Sequence, residues 1–315
     1  MFRKNILIAE CDDFSNDVIK ILSEHANVHQ KKTEEVSLIK DFRNYDVFWF
    51  RLGYKINEDI LLDPKRRVSI IVCPVTGLDH IDLKTCKAMG IKVISLKGET
   101  EFLKNIRATA ELTIALMLSS LRHLFKAINS VKKTNWDRDR FRGSELNGNT
   151  VGIVGMGRLG NIVADILNGF GSKVIAFDIR EFRINNFEKV NSLTELVEKS
   201  NIVTVHVDYN SDNYHMFNSN VFSHFKRGSI FINTSRGSLV DEHALLASLK
   251  EKRISVAAVD VVEDEYNFSE SPLVKYAEKN DNLIITPHIG GSTYESFAKT
   301  EKYLAEKLIN LMYSN

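Results

Sequence analysis

The chain has 315 residues, 43% apolar and 26% charged, enough for two globular domains with separate cores. Its 42 Lys and Arg against 41 Asp and Glu give a net charge of +1, which leaves no electrostatic footprint for nucleic acid or an anionic membrane and points to a small-molecule partner. Cys11, Cys73 and Cys86 have no CxxC spacing, so neither a disulfide framework nor a metal site is expected, and all three read as structural thiols.

At the amino end a short apolar run, Ile6 to Ala9, is too brief for a secretory signal. The greasiest stretch, Ile114 to Leu121, falls far short of the roughly 20 residues that span a bilayer. A cytoplasmic protein is therefore expected. Runs at Ile6 to Ala9, Asp46 to Phe50, Ser69 to Val72 and Lys92 to Ile94 are β-rich and alternate with helical segments, the pattern of a parallel sheet with crossover helices. From Lys104 to about Lys132, including AELTIALMLSSLRHLFKAI, breakers are few and more than one face is apolar. That stretch predicts one long buried helix at a homodimer interface. A second α/β series follows, with strands near Val151 to Val154, Val174 to Phe177, Ile202 to His206, Ile230 to Asn233, Val256 to Val259 and Leu283 to Thr286. These strands are almost continuously apolar, so both sheet faces must be covered. Ser192-Leu193-Thr194-Glu195 has capping-box spacing and starts a helix, and a terminal helix runs from Tyr294 to Met312.

The strand TVGIV runs directly into Gly155-Met156-Gly157-Arg158-Leu159-Gly160. Leu159, Ile162, Val163, Ile166, Leu167 and Phe170 then repeat on one helix face, and a second strand, KVIAFD, ends at Asp178, 18 residues past Gly160. Strand, glycine turn, helix and carboxylate make the βαβ unit that binds dinucleotides. Gly155 permits the tight turn, Gly157 lets backbone approach a pyrophosphate, and Gly160 lets the helix pack on the strand. Asp178 would accept the ribose hydroxyls and repel a 2′-phosphate, which favours NAD, with Arg180 keeping NADP open.

Polar residues gather at three later strand ends: Asn233-Thr234-Ser235-Arg236-Gly237, the acidic run after Asp260, and Thr286-Pro287-His288-Ile289-Gly290-Gly291. In an open α/β sheet such segments can converge on one crevice. The order GxGxxG, NTSRG, an AxDV segment followed by a glutamate, and TPHIGG resembles the D-isomer-specific 2-hydroxyacid dehydrogenase family over nearly the whole chain. The resemblance implies an α/β fold in which a Rossmann-type dinucleotide-binding domain, about 104–291, is inserted into a flavodoxin-like substrate domain, 1–103 with 292–315, with catalysis in the cleft between them. It implies His288 as general acid/base, Glu265 as its orienter, and Arg236 as the clamp on substrate carboxylate and carbonyl. The chemistry agrees: histidine titrates near working pH, a neighbouring carboxylate fixes its tautomer, and the planar arginine fork suits adjacent oxygens. Glu263 and Asp264 lie within a register slip of Glu265, and Tyr266 stands where the family commonly has proline. The implied cofactor set is Gly155, Met156, Gly157, Arg158, Leu159, Gly160, Asp178, His206, Thr234, Asp260 and Gly290. After His206 the loop departs from the family pattern, with Asp208 where a proline is usual.

On the substrate side, Thr76, Gly77 and Leu78 resemble a loop whose backbone N–H groups bind the substrate carboxylate. Asn105 resembles a substrate-facing asparagine. Arg51 matches an arginine that contacts the far end of the substrate in phosphoglycerate dehydrogenases, to which the wording HIGGST also leans. The chain is closest in wording to members that lack the regulatory domain, and no such domain is expected after the terminal helix. The activity implied is hydride transfer between nicotinamide and C2 of a D-2-hydroxy or 2-oxo acid, with 3-phosphoglycerate and serine synthesis as one version. A corepressor-like NAD(H) sensor is the alternative, since such proteins resemble the family and keep its Arg, Glu and His.

Overall fold

A computed structural model describes residues 3–182 and 187–314. The chain forms two compact units, Met1–Leu103 with Ser292–Asn315 and Lys104–Gly291.

The smaller unit holds β1 (Asn5–Ile8), β2 (Asn27–Gln30), β3 (Val47–Trp49), β4 (Ile70–Cys73) and β5 (Lys92–Ser95). They form a parallel sheet in the order β2-β1-β3-β4-β5, the flavodoxin-like order. The central strands β1, β3 and β4 are buried almost throughout, as their Ile, Val, Phe and Trp content requires. Edge strand β2, NVHQ, is exposed and polar, which is why no apolar run announces it. Phe42, Phe48, Phe50, Leu61 and Ile71 anchor this core, and helix Tyr294–Tyr313 returns to pack against helix Asn16–His25.

The larger unit holds β6 (Thr150–Val154), β7 (Lys173–Phe177), β8 (Glu188–Lys189), β9 (Ile202–Val205), β10 (Ser229–Asn233), β11 (Ile254–Val259) and β12 (Leu283–Ile285). The parallel order is β12-β11-β10-β9-β6-β7-β8, with one apolar core on each face of the sheet. Strand order reverses at β6, so the crevice beyond the carboxyl ends of β6 and β9 is the topological switch point.

The single helix expected from Lys104 to Lys132 is instead two, Ala108–Leu121 and Leu124–Lys132, separated where His123 takes a left-handed φ of 50°. Only the first is buried: Ile114, Leu116, Met117 and Leu121 join the core on the side of the sheet where their helix packs against β10 and β11, whereas the second buries no residue. Ser192 caps its helix by accepting from the Glu195 N–H at 3.1 Å, but the Glu195 carboxylate bonds the Asn191 N–H, not that of Ser192, so the box is not reciprocal. Among the described residues no helix is long and apolar enough to cross a membrane.

Candidate active site

At the switch point of the larger sheet, the glycine turn has three different needs. Gly155 adopts a φ of 97°, and a Cβ there would lie 2.4 Å from the His206 carbonyl oxygen, so both conformation and space exclude any side chain. A Cβ on Gly160 would meet the Gly155 carbonyl oxygen at 2.0 Å, which is how the helix Arg158–Gly169 comes to press on the turn. Gly157 faces open space, with the nearest atom to an added Cβ, the Arg180 Nη2, at 3.9 Å.

Around the turn, Asp178 accepts from the Met156 N–H at 2.8 Å and from the Arg180 N–H at 2.9 Å. Burial pushes its carboxyl up, but these bonds and the Arg180 guanidinium outweigh burial and hold it below the usual carboxylate range. Arg158 donates to the Ile106 carbonyl at 2.8 Å, and burial lowers its affinity for the proton. His206 is buried; burial drives its pKa down to about 3, so the imidazole is neutral. Its Nε2 meets Thr204 Oγ1 at 3.0 Å and its buried Nδ1 has no partner among the described residues. A turn that excludes a side chain at Gly155 and Gly160 and is open at Gly157, a helix N-terminus behind it, an ionised carboxylate and a buried ring nitrogen left without a partner among the described residues fit a dinucleotide. Thr234 is buried, its hydroxyl 2.9 Å from that of Thr113 on the helix Ala108–Leu121.

β10 delivers Arg236 on a turn stapled by Asn233, whose side chain donates to the Arg236 carbonyl at 2.9 Å and accepts from the Ser235 N–H at 3.0 Å. The Ser235 hydroxyl donates to the Val207 carbonyl, and the Arg236 guanidinium donates to the Ser235 carbonyl at 2.8 Å. β11 delivers Asp260, which is 1% exposed and organises the loop that follows β12. One carboxylate oxygen accepts from Thr286 Oγ1 at 2.5 Å and the Ile289 N–H at 2.9 Å, and the other from the Gly290 N–H at 2.7 Å. Burial pushes the Asp260 carboxyl up against the pull of these bonds. Its carbonyl also accepts the His288 N–H at 2.8 Å, which holds His288 in a left-handed conformation, φ 53°.

The His288 Nδ1 lies 2.6 Å from Glu265 Oε2. The three acidic residues of the run take separate partners: Glu263 accepts from Tyr214 Oη at 2.6 Å and faces His215 Nε2 at 3.1 Å, Asp264 accepts from Asn267, and Glu265 alone meets His288. Hydrogen bonding to Glu263 pushes the Tyr214 hydroxyl up to about 12. Sequence reasoning missed Tyr214 and His215, which lie about 50 residues before their carboxylate with no motif to link them.

In the smaller unit Thr76 is exposed and Leu78 buried, with the Leu78 carbonyl closing a turn to the Ile81 N–H. Asn105, in the larger unit, is exposed in the turn before the helix Ala108–Leu121. Arg51 is committed elsewhere than to open solvent: Nη2 bonds Glu301 Oε1 at 2.8 Å, Nη1 donates to the Asp12 carbonyl at 3.2 Å, and the guanidinium lies 4.0 Å over the Phe297 ring. Glu301 is 1% exposed in this ion pair, and burial pushes its carboxyl up.

Residues 114–290 match the family model of the D-isomer specific 2-hydroxyacid dehydrogenase, NAD binding domain. The chain is 32% identical to the D-3-phosphoglycerate dehydrogenase of Methanocaldococcus jannaschii, over 96% of this chain and 57% of that protein. It is also 32% identical to the hydroxypyruvate reductase of Thermotoga maritima, over 90% of each. In structure it matches the D-lactate dehydrogenase of Aquifex aeolicus complexed with NAD and lactic acid, with a TM-score of 0.84 and 27% identity, covering 98% of this chain and 96% of that one. The chain belongs to the D-isomer specific 2-hydroxyacid dehydrogenase family. It spans 57% of the length of the phosphoglycerate dehydrogenases of M. jannaschii and Archaeoglobus fulgidus.

Proposed function

We propose that this protein is an NAD-dependent D-2-hydroxyacid dehydrogenase, transferring a hydride between nicotinamide and C2 of a 2-hydroxy or 2-oxo acid. The observation that carries the reading is the 2.6 Å pair of His288 Nδ1 and Glu265, on a loop pinned by Asp260. Glu265 fixes the Nδ1 proton, leaving Nε2 to give a proton to the carbonyl oxygen in reduction and take it back from the hydroxyl in oxidation. Arg236 supplies a planar cation for the substrate's carboxylate and carbonyl oxygens. The glycine turn 155–160, Asp178, His206, Thr234, Asp260 and Gly290 would hold the cofactor, which when bound supplies the hydride in reduction and accepts it in oxidation. The ionised Asp178 beside the turn disfavours a 2′-phosphate and selects NAD. Thr76, Gly77, Leu78 and Asn105 are assigned to the substrate side.

Because Glu301 already neutralises Arg51, we assign a short unphosphorylated 2-oxo acid ahead of 3-phosphohydroxypyruvate. The test is NADH oxidation over glyoxylate, hydroxypyruvate, pyruvate and 3-phosphohydroxypyruvate. A preference of 100-fold or more for the phosphorylated acid, about 2.7 kcal/mol, would overturn that substrate assignment and point to serine synthesis. Tight NADH binding with no turnover of any acid would replace the enzyme reading with a sensor.

The apolar face of helix Leu124–Lys132, with Leu124, Phe125, Ile128 and Val131 each 41–51% exposed, is assigned to a homodimer interface. A monomer in sedimentation at micromolar concentration contradicts this. Cys11, Cys73 and Cys86 form no disulfide among the described residues, which suits the reducing cytoplasm.

A further inference from the structure

We infer that Glu242 is a positioning residue that sets Glu265 against His288, an inference that rests on the catalytic reading above. Glu242 opens the helix Glu242–Lys250 yet is 5% exposed and makes no ion pair among the described residues. A buried carboxylate without a counter-charge is costly and needs strong hydrogen bonds in return. The helix does not require it, because Asp241 already caps the end by accepting from the His243 and Ala244 N–H groups at 3.0 and 3.1 Å.

Both oxygens of Glu242 instead bind one loop. Oε1 accepts from the Glu263 N–H at 2.9 Å and Oε2 from the Ser271 hydroxyl at 2.8 Å. These two points bracket the segment that carries Glu265, and residues 266–270 between them are exposed. The near anchor is reinforced: Tyr214 and His215 hold the Glu263 side chain, and Gly237 approaches Val262 so closely that a Cβ would lie 2.0 Å from its carbonyl carbon. Arg236, next to Gly237, is thereby kept in register with the same loop. One side chain thus closes an exposed loop at both ends, two residues from the carboxylate that must meet His288 within hydrogen-bonding distance. Loss of such a constraint costs rate far more than binding, since misplacement of a reacting group raises the barrier without removing a ground-state contact.

Glutamine at 242 can accept the Glu263 N–H through its oxygen and donate its amide N–H to the Ser271 hydroxyl, whereas alanine can do neither. The test compares Glu242→Ala, Glu242→Gln and Glu265→Gln in the full chain. For Glu242→Ala we expect kcat to fall on the order of tenfold, with KM and the NADH Kd within about twofold of wild type. We also expect loss of the low-field His288 Nδ1 proton resonance. Glu242→Gln should restore both. A wild-type kcat and an intact resonance in Glu242→Ala overturn the proposal, as does a Gln variant no better than Ala. If Glu265→Gln also leaves rate and resonance untouched, the catalytic pair itself is what has failed. Should Glu242→Ala not fold, Ser271→Ala removes only the outer anchor and is read by the same rate and resonance.

Discussion

Two crevices of the same topological kind occur in this chain, and they are filled in opposite ways. In the smaller sheet strand order reverses between β1 and β3, and the gap beyond their ends is closed by protein groups. There Glu10 accepts from the Arg51 and Gly53 N–H groups at 2.5 and 3.2 Å, and the Arg51 guanidinium turns away to the buried Glu301. In the larger sheet the reversal falls between β6 and β9, where the turn carries no side chain at Gly155 or Gly157 and its helix N-terminus is left for an external anion. Topology supplies a crevice in each unit; the residues on the first turn decide whether protein or ligand satisfies the backbone amides there.

The largest effect that tests this contrast is on rate. His288→Ala should lower kcat by about 10³-fold, roughly 4 kcal/mol, with NADH affinity unchanged in fluorescence titration. Retained turnover would remove the chemistry from the loops of the larger sheet.

Next is the plug of the smaller one. Arg51→Met strands a buried carboxylate and should cost about 3 to 4 kcal/mol in urea unfolding, while the double variant Arg51→Met, Glu301→Leu should recover most of it. An unchanged urea midpoint combined with a large rise in KM makes Arg51 a substrate contact and dissolves the comparison.

The glycines separate fold from binding within one turn. Gly155→Ala should destabilise by about 3 kcal/mol through its positive φ and the His206 carbonyl. Gly157→Ala, with open space around it, should hold stability within about 1 kcal/mol yet weaken NADH binding roughly 100-fold. Equal NADH affinity in Gly157→Ala and wild type would falsify the cofactor assignment of the turn.

The smallest effect is on pH dependence. His206 is neutral in the fold, with a pKa of about 3, and titrates near 6.5 when unfolded, so the unfolded chain binds the extra proton between those values. Stability is therefore lost as pH falls from about 6.5 toward 3, at up to about 1.4 kcal/mol per unit. Urea midpoints at pH 7 and pH 5 should lie closer together in His206→Gln than in wild type.

Long apolar strands and the glycine turn were legible because their signals are local: burial on both faces writes a continuous run, and a βαβ turn writes glycine, helix period and carboxylate within 24 residues. Strands β2 and β8 were not, since a short polar edge strand carries no such run. The break at His123 was hidden because the left-handed residue is neither glycine nor asparagine.

By itself, then, the sequence determined the α/β class, the place of the dinucleotide turn and the residues able to do acid–base and anion chemistry, because each depends on neighbours along the chain. Only the tertiary structure decided partners: Glu265 and not Glu263 for His288, Glu301 for Arg51 across 250 residues, and Glu242 for both ends of one loop. A carboxylate's bonding depends on which donors folding brings within about 3 Å of it, and that distance is not written in any local period.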